Sequence, residues 1–130
     1  MRRRTLASAA AMLVAAMRHA SAQQSDTMKR IALVNPSTKV ADMRKEGDPG
    51  YRAFADELER LGYVEGKNIT FERYSGEGHP ERYDDLVRQV VSTTPDAIYS
   101  VGTPLTRRFK AATSTIPIVA FTVSAVTRPL

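Results

Sequence analysis

Four short apolar runs, separated by stretches with helical periodicity, constrain the fold of this chain more than any other feature of its sequence. The runs are Ile31 to Val34, Ile69 to Tyr74, Ala97 to Val101 and Ile116 to Phe121. The first, third and fourth are largely apolar, as strands buried on both faces are, whereas the second alternates, as a strand at a sheet edge does. Between them, Tyr51, Phe54, Ala55, Leu58 and Leu61 recur at helical spacing behind Pro49. Tyr83, Leu86, Val87, Val90 and Val91 do so behind Pro80, and Leu105, Phe109 and Ala112 behind Pro104. Proline suits a first helical turn because its missing N–H would find no partner there. Gly62 is expected to end the first helix, and Thr103 to cap the last one ahead of Pro104. The resulting βαβαβαβ order calls for a parallel sheet with right-handed crossovers and helices on both faces. With the edge strand second in sequence, the expected class is a three-layer α/β fold of flavodoxin-like strand order 2-1-3-4.

Ligands of such sheets bind beyond the carboxyl ends of the strands, where the order reverses, here between strands one and three. The candidate ligand-binding residues are therefore Asn35, Pro36 and Ser37 after strand one and Gly102, Thr103 and Pro104 after strand three. A glycine lets a ligand approach the backbone, and the helix start behind it offers amides and the positive end of a dipole to a carboxylate or other polar group. A capped helix with nothing bound reads equally well from these residues. Tyr74 at the end of strand two could stack on a ligand, although packing at the sheet edge is the commoner use of such a ring.

The N-terminus has the layout of an export signal. Arg2, Arg3 and Arg4 precede an apolar run from Leu6 to Met17, and small residues at Ala20 and Ala22 fit a signal peptidase, so cleavage is expected between Ala22 and Gln23. The run falls short of the ~20 residues that span a bilayer. Arg3, Arg4, Thr5 and Leu6 partly match a twin-arginine signal, which leaves the general secretory and twin-arginine routes both open. The bland alternative for residues 1–22 is a buried, Ala-rich helix of the domain. Four of the 19 basic residues lie in this segment, and without them 15 basic stand against 14 acidic residues, a balance of +1. The remaining charges alternate in sign along helices, with no Lys/Arg stripe interleaved with aromatics, so a nucleic-acid partner is not expected. Arg107 and Arg108 read as an exposed helix face.

Little else in the chain carries chemistry. With no Cys, and His79 as the sole imidazole after residue 22, thiolate sites, His-based zinc sites and Ser-His-Asp triads lack their ligands and bases. Gly76-Glu77-Gly78 resembles part of a dinucleotide fingerprint, but Glu81 stands at its last position, where a carboxylate repels pyrophosphate. Asp84 and Asp85 are adjacent on a helix and face about 100° apart, so they read as charges near the positive end of its dipole rather than an acid/base pair. No catalytic residue, metal site or cofactor is expected.

Several strings resemble one family. Arg30 to Asn35, Leu61-Gly62-Tyr63-Val64-Glu65-Gly66-Lys67-Asn68-Ile69, Glu77-Gly78 with Glu81-Arg82 and Leu86, Val101 to Pro104 and Ala111 to Val119 look like the periplasmic substrate-binding proteins of ABC transporters, of the tryptophan/tyrosine-type group. The resemblance implies two α/β lobes closing on a small ligand such as an amino acid, delivery to a membrane permease, and a periplasmic location. It implies that residues 23–130 are most of a first lobe, truncated before the second. Where the family carries an Asp-Pro-containing loop after strand four, Thr122 to Val126 stand here, and Thr122 joins the expected ligand-facing residues. Two rivals remain: a non-functional truncated remnant, and a stand-alone flavodoxin-like enzyme or signalling domain. The second is disfavoured because strand one ends in Asn35-Pro36 without the acidic pair that holds Mg²⁺ in a phospho-acceptor site. An effector domain of a DNA-binding regulator would need a basic helix-turn-helix in place of the export signal.

Overall fold

A computed structural model describes residues 9–15 and 28–122; the expected cleavage site after Ala22 and most of the stretch from Thr122 to Val126 lie outside them. The elements in chain order are helix α1 (residues 9–15), β1 (Lys29–Asn35), α2 (Pro49–Arg60), β2 (Ile69–Ser75), α3 (Tyr83–Ser92), β3 (Ala97–Val101), α4 (Thr103–Ala112) and β4 (Ile118–Phe121). The four strands form one sheet in the order β2-β1-β3-β4, and every neighbouring pair is parallel. This is the three-layer 2-1-3-4 arrangement that the patterning predicts.

Strand β1 takes an interior place beside β3 because both of its faces are apolar. Ile31 and Leu33 point into a cluster with Tyr51, Phe54 and Leu58 of α2, while Ala32 and Val34 point into one with Tyr83, Val87 and Val90 of α3 and Leu105 and Phe109 of α4. Alternate residues of a strand face opposite ways, so a continuous apolar run can only be buried between two layers. The β2 edge is registered Lys29 to Ile69 through Asn35 to Ser75. Ile69 and Phe71 supply its inward side chains beneath α2, with Thr70 and Glu72 interleaved on the other face and Arg73 following on the same face.

The helix ends follow from local chemistry. Asp48 caps α2 through hydrogen bonds from the amides of Gly50 (2.7 Å) and Tyr51 (3.3 Å). At the other end the amides of Tyr63 and Gly62 return to the carbonyls of Leu58 and Glu59, a Schellman closure. A 3₁₀ turn, Pro80–Arg82, precedes α3, so Pro80 begins that turn rather than the helix itself. In α4 the N-cap is Gly102 and Thr103 is the first helical residue; no side chain caps this end. The expected Thr103 cap fails because Thr103 has already entered the helix, where its hydroxyl no longer sits behind the free amides.

Three more expectations are corrected. Ala112 is exposed, because the buried face of α4 is Leu105, Thr106 and Phe109 and the helix ends at Ala112. Arg108 is half-buried, with its guanidinium 5.5 Å from the Tyr83 ring centroid and Nε donating to Asp84 at 2.8 Å, while Asp85 pairs with Arg88 instead. Strand β4 begins at Ile118; Ile116 packs against the α3/α4 cluster, the Pro117 carbonyl accepts from the Ile98 amide, and Ala120 is exposed. Among the described residues β4 is therefore an edge strand rather than one covered on both faces.

The α2-side core is centred on Phe54, whose ring stacks on Tyr99 at 4.5 Å and tilts against Phe71 at 6.1 Å. Phe54→Ala should cost about 3–5 kcal/mol, read by chemical denaturation, because it removes an aromatic ring from a site that cannot collapse around the gap. Burial raises the Tyr99 and Tyr51 hydroxyls above the ordinary tyrosine value of 10. The unfolded chain then loses these protons first, so stability is held below pH 10 and falls as the pH rises beyond it. Tyr99→Phe should flatten that alkaline loss in urea titrations run at pH 9 to 12.

Candidate functional site

The loops after β1 and β3 meet at the carboxyl end of the sheet, as the strand order requires. A methyl group built on Gly102 would lie 3.6 Å from Cγ of Pro36 and 3.9 Å from Cδ of Pro104. Gly102 has φ of +88°, a conformation that strains residues with a Cβ, and so the turn from β3 into α4 depends on glycine here. Its amide donates to the Phe121 carbonyl at 2.8 Å, which brings the end of β4 and the exposed Thr122 alongside. Below it, the buried Thr106 hydroxyl hydrogen-bonds to the Gly102 carbonyl (2.9 Å) and to Oγ of Ser100 (3.0 Å).

Asn35 organises the β1 loop. It is 7% exposed. Its Oδ1 accepts from the amides of Ser37 (2.9 Å) and Thr38 (2.8 Å), and its Nδ2 donates to the Tyr51 hydroxyl at 3.4 Å. The Ser37 amide is thereby engaged inside the loop, and its exposed hydroxyl is the group left facing outward. The Pro36 carbonyl accepts from the Gly78 amide (2.9 Å) and the Tyr83 hydroxyl (3.3 Å), so Pro36 offers a ligand only its ring. Gly76 is buried against this carbonyl: a Cβ there would stand 2.9 Å from Pro36 O and would also strike the Tyr83 ring. Close approach, and not a phosphate, accounts for the first glycine of Gly76-Glu77-Gly78.

The eight sequence-predicted residues thus divide. Asn35, Pro36, Ser37, Gly102, Thr103 and Pro104 come together at the junction of β1 and β3, with Thr122 next to Gly102. Tyr74 stands opposite Val34 on β2, half-buried, and its ring packs against the cluster beneath α3 and α4. Thr103 and Pro104 are exposed in the first turn of α4. The Thr103 and Leu105 amides have no intrahelical partner there and no side chain caps them, so this end presents N–H donors and a positive dipole to the crevice. Tyr51, Gly76 and Tyr83 escaped sequence reading as site residues. The helical pattern marks both tyrosines as core, and nothing in it shows that their hydroxyls reach the β1 loop.

A cavity of about 470 Å³ lies away from this crevice, between the 43–46 segment, α2 and β2. Its lining includes Met43, Lys45, Tyr51, Glu59, Glu65 and Arg73. Its charges are largely neutralised within it. Lys45 lies 2.9 Å from Asp56 and 2.5 Å from Glu59, and these hydrogen bonds raise its pKa; Arg73 pairs with Glu65 at 2.9 Å and donates to the Met43 carbonyl. Among the described residues no group of three or more His, Asp and Glu side chains could hold a metal ion, and no helix is long and apolar enough to cross a membrane.

A parallel sheet of this order, with a glycine turn and an uncapped helix start beside the strand-one loop, defines a three-layer α/β fold with a candidate crevice at its switch point. The sequence profile described as ABC transporter substrate binding protein matches residues 47–130, and the chain belongs to that family. Among solved structures, a conserved domain protein from Vibrio cholerae O1 biovar El Tor is 29% identical with a TM-score of 0.60, over 72% of this chain and 30% of that one. The ligand-free, open structure of a substrate binding protein with adhesive properties from Clostridium difficile gives 21% identity and a TM-score of 0.60, over 76% of this chain and 32% of the other; it bears on the fold alone. The chain thus spans about a third of the length of the solved proteins it matches. A comparison with curated proteins finds no match.

Asn35→Ala should cost about 1–3 kcal/mol, because it leaves two loop amides and the Tyr51 hydroxyl without their partner. Amide exchange at Ser37 and Thr38 should speed up by more than exchange in the centre of β1, and this comparison checks that the loss is local.

Proposed function

We propose that this chain is a first lobe that supplies one wall of an extracytoplasmic solute site and serves an ABC-type importer. The observation that carries the reading is the uncapped start of α4 at the β1/β3 switch point, held open by Gly102 and faced by the Asn35-ordered loop. Family membership supports it. A small polar ligand with a carboxylate would receive the Thr103 and Leu105 amides at its charged end, with the hydroxyls of Ser37, Thr103 and Thr122 around it and the rings of Pro36 and Pro104 against its apolar part. The tryptophan/tyrosine-type resemblance points to an amino acid as the ligand class. Clamping it needs a second lobe moving about a hinge, and the partner that receives it is the membrane permease. Nothing in this role needs catalysis or a cofactor.

Export by residues 1–22, with cleavage after Ala22, belongs to the same proposal. Expressed in a Gram-negative host, the chain should be recovered from the periplasm with Gln23 at its N-terminus, read by intact mass. Recovery uncut from the cytoplasm would reject this part. For binding, calorimetric titration of the purified chain with aromatic amino acids and other small carboxylates should show heat that Gly102→Val abolishes or weakens at least ~10-fold, since a branched side chain at φ +88° distorts the turn. Titrations without heat from any of them would reject the amino-acid reading.

A further inference from the structure

The two faces of the sheet are covered unequally. Two full helices, α3 and α4, close one side. On the other, Ile31, Leu33, Ala97, Tyr99 and Val119 from three strands are buried, and α2 covers them with Tyr51, Phe54 and Leu58. Met43 and, from β2, Ile69 and Phe71 also belong to that cluster, and its remaining buried members come from α1. Ala10 and Leu13 are 0% exposed, with Ala9 and Val14 close behind. Positions 9, 10, 13 and 14 share one face of a helix, and residues 11, 12 and 15 on the opposite face are exposed, Met12 by 61%.

This is the run that also reads as the apolar core of an export signal. A signal needs apolar character but no particular face, because membrane and translocon surround it on all sides. A docking helix needs small residues for close approach and a large one to fill the remaining space, all on one side. Ala9, Ala10, Leu13 and Val14 satisfy that second demand.

We propose that α1 is a structural element of the uncut chain, seated on the α2 side of the sheet, and that removal of residues 1–22 opens this face. The surface is thus a docking site for an apolar helix, and its occupant in the uncut chain is the leader's own segment. The proposal goes beyond the solute-binding role and does not rest on it; it also holds if the chain is never cut.

The chain contains no cysteine, so single introduced cysteines report burial directly. Purified, uncut residues 1–130 carrying Ala10→Cys, Leu13→Cys, Ala11→Cys or Met12→Cys are treated with a maleimide reagent in native buffer and in denaturant. Positions 10 and 13 should react at least ~10-fold more slowly than 11 and 12 in native buffer, and all four alike in denaturant. Equal native rates would overturn the proposal, and Ala10→Cys keeps the comparison sound where Leu13→Cys loosens the packing. As a second reading, Leu13→Asp should lower the melting temperature by roughly 10 °C or more while Met12→Asp changes it by no more than about 2 °C. An unchanged melting temperature for Leu13→Asp would equally overturn it.

Discussion

Everything in this sheet is hung on β1, a strand hydrogen-bonded along both edges and buried on both faces. It pairs with β2 over its whole length and with β3 from Ile31 to Val34. Its start is fastened three ways. The Arg30 amide donates to Asp96 at 2.8 Å and the Asp96 amide returns to the Arg30 carbonyl, while the guanidinium reaches both Glu72 on β2 and the Thr93 carbonyl after α3. The Arg30 and Glu72 side chains are partly exposed, so the ion pair itself adds little; its value lies in holding three segments to one strand end.

The opposite end of β1 carries that rigidity into the candidate crevice. Asn35 is buried and still hydrogen-bonded to α2 through Tyr51, so the loop leaving the sheet is shaped before any ligand arrives. Tyr83 and Gly78 hold the Pro36 carbonyl from the α3 side. One loop is thereby gripped from both layers, and the glycine turn into α4 closes beside it. Pre-organisation of this kind lowers the ordering cost that any ligand taken at such a crevice would meet.

Most of the architecture was legible along the chain. The alternating pattern of Ile69 to Tyr74 marked an edge, the apolar run of Ile31 to Val34 marked a centre, and both assignments hold. The position of the crevice followed from strand order alone. Other features were hidden for a common reason. Met43 sits in a stretch that reads as polar from Thr38 to Asp48, yet it is fully buried, because a 3₁₀ turn tucks it beneath Arg73. The roles of Tyr51 and Tyr83 depend on hydroxyls that reach a loop 16 and 47 residues away in sequence. No local pattern encodes such a distance.

The sequence by itself determined the element order, the 2-1-3-4 sheet and the inward faces of α2 and α3, because periodicity, proline placement and glycine turns act within a few residues. Only the tertiary structure decided that α2 would cover one face while α3 and α4 shared the other, and that Pro36 would be wedged between Gly76 and Gly102. It also decided that Ala9, Ala10, Leu13 and Val14 of α1 would join the cluster on the α2 side. Burial is a property of what arrives from elsewhere in the chain, and an apolar helix reads the same in sequence whether a membrane, a translocon or a sheet receives it.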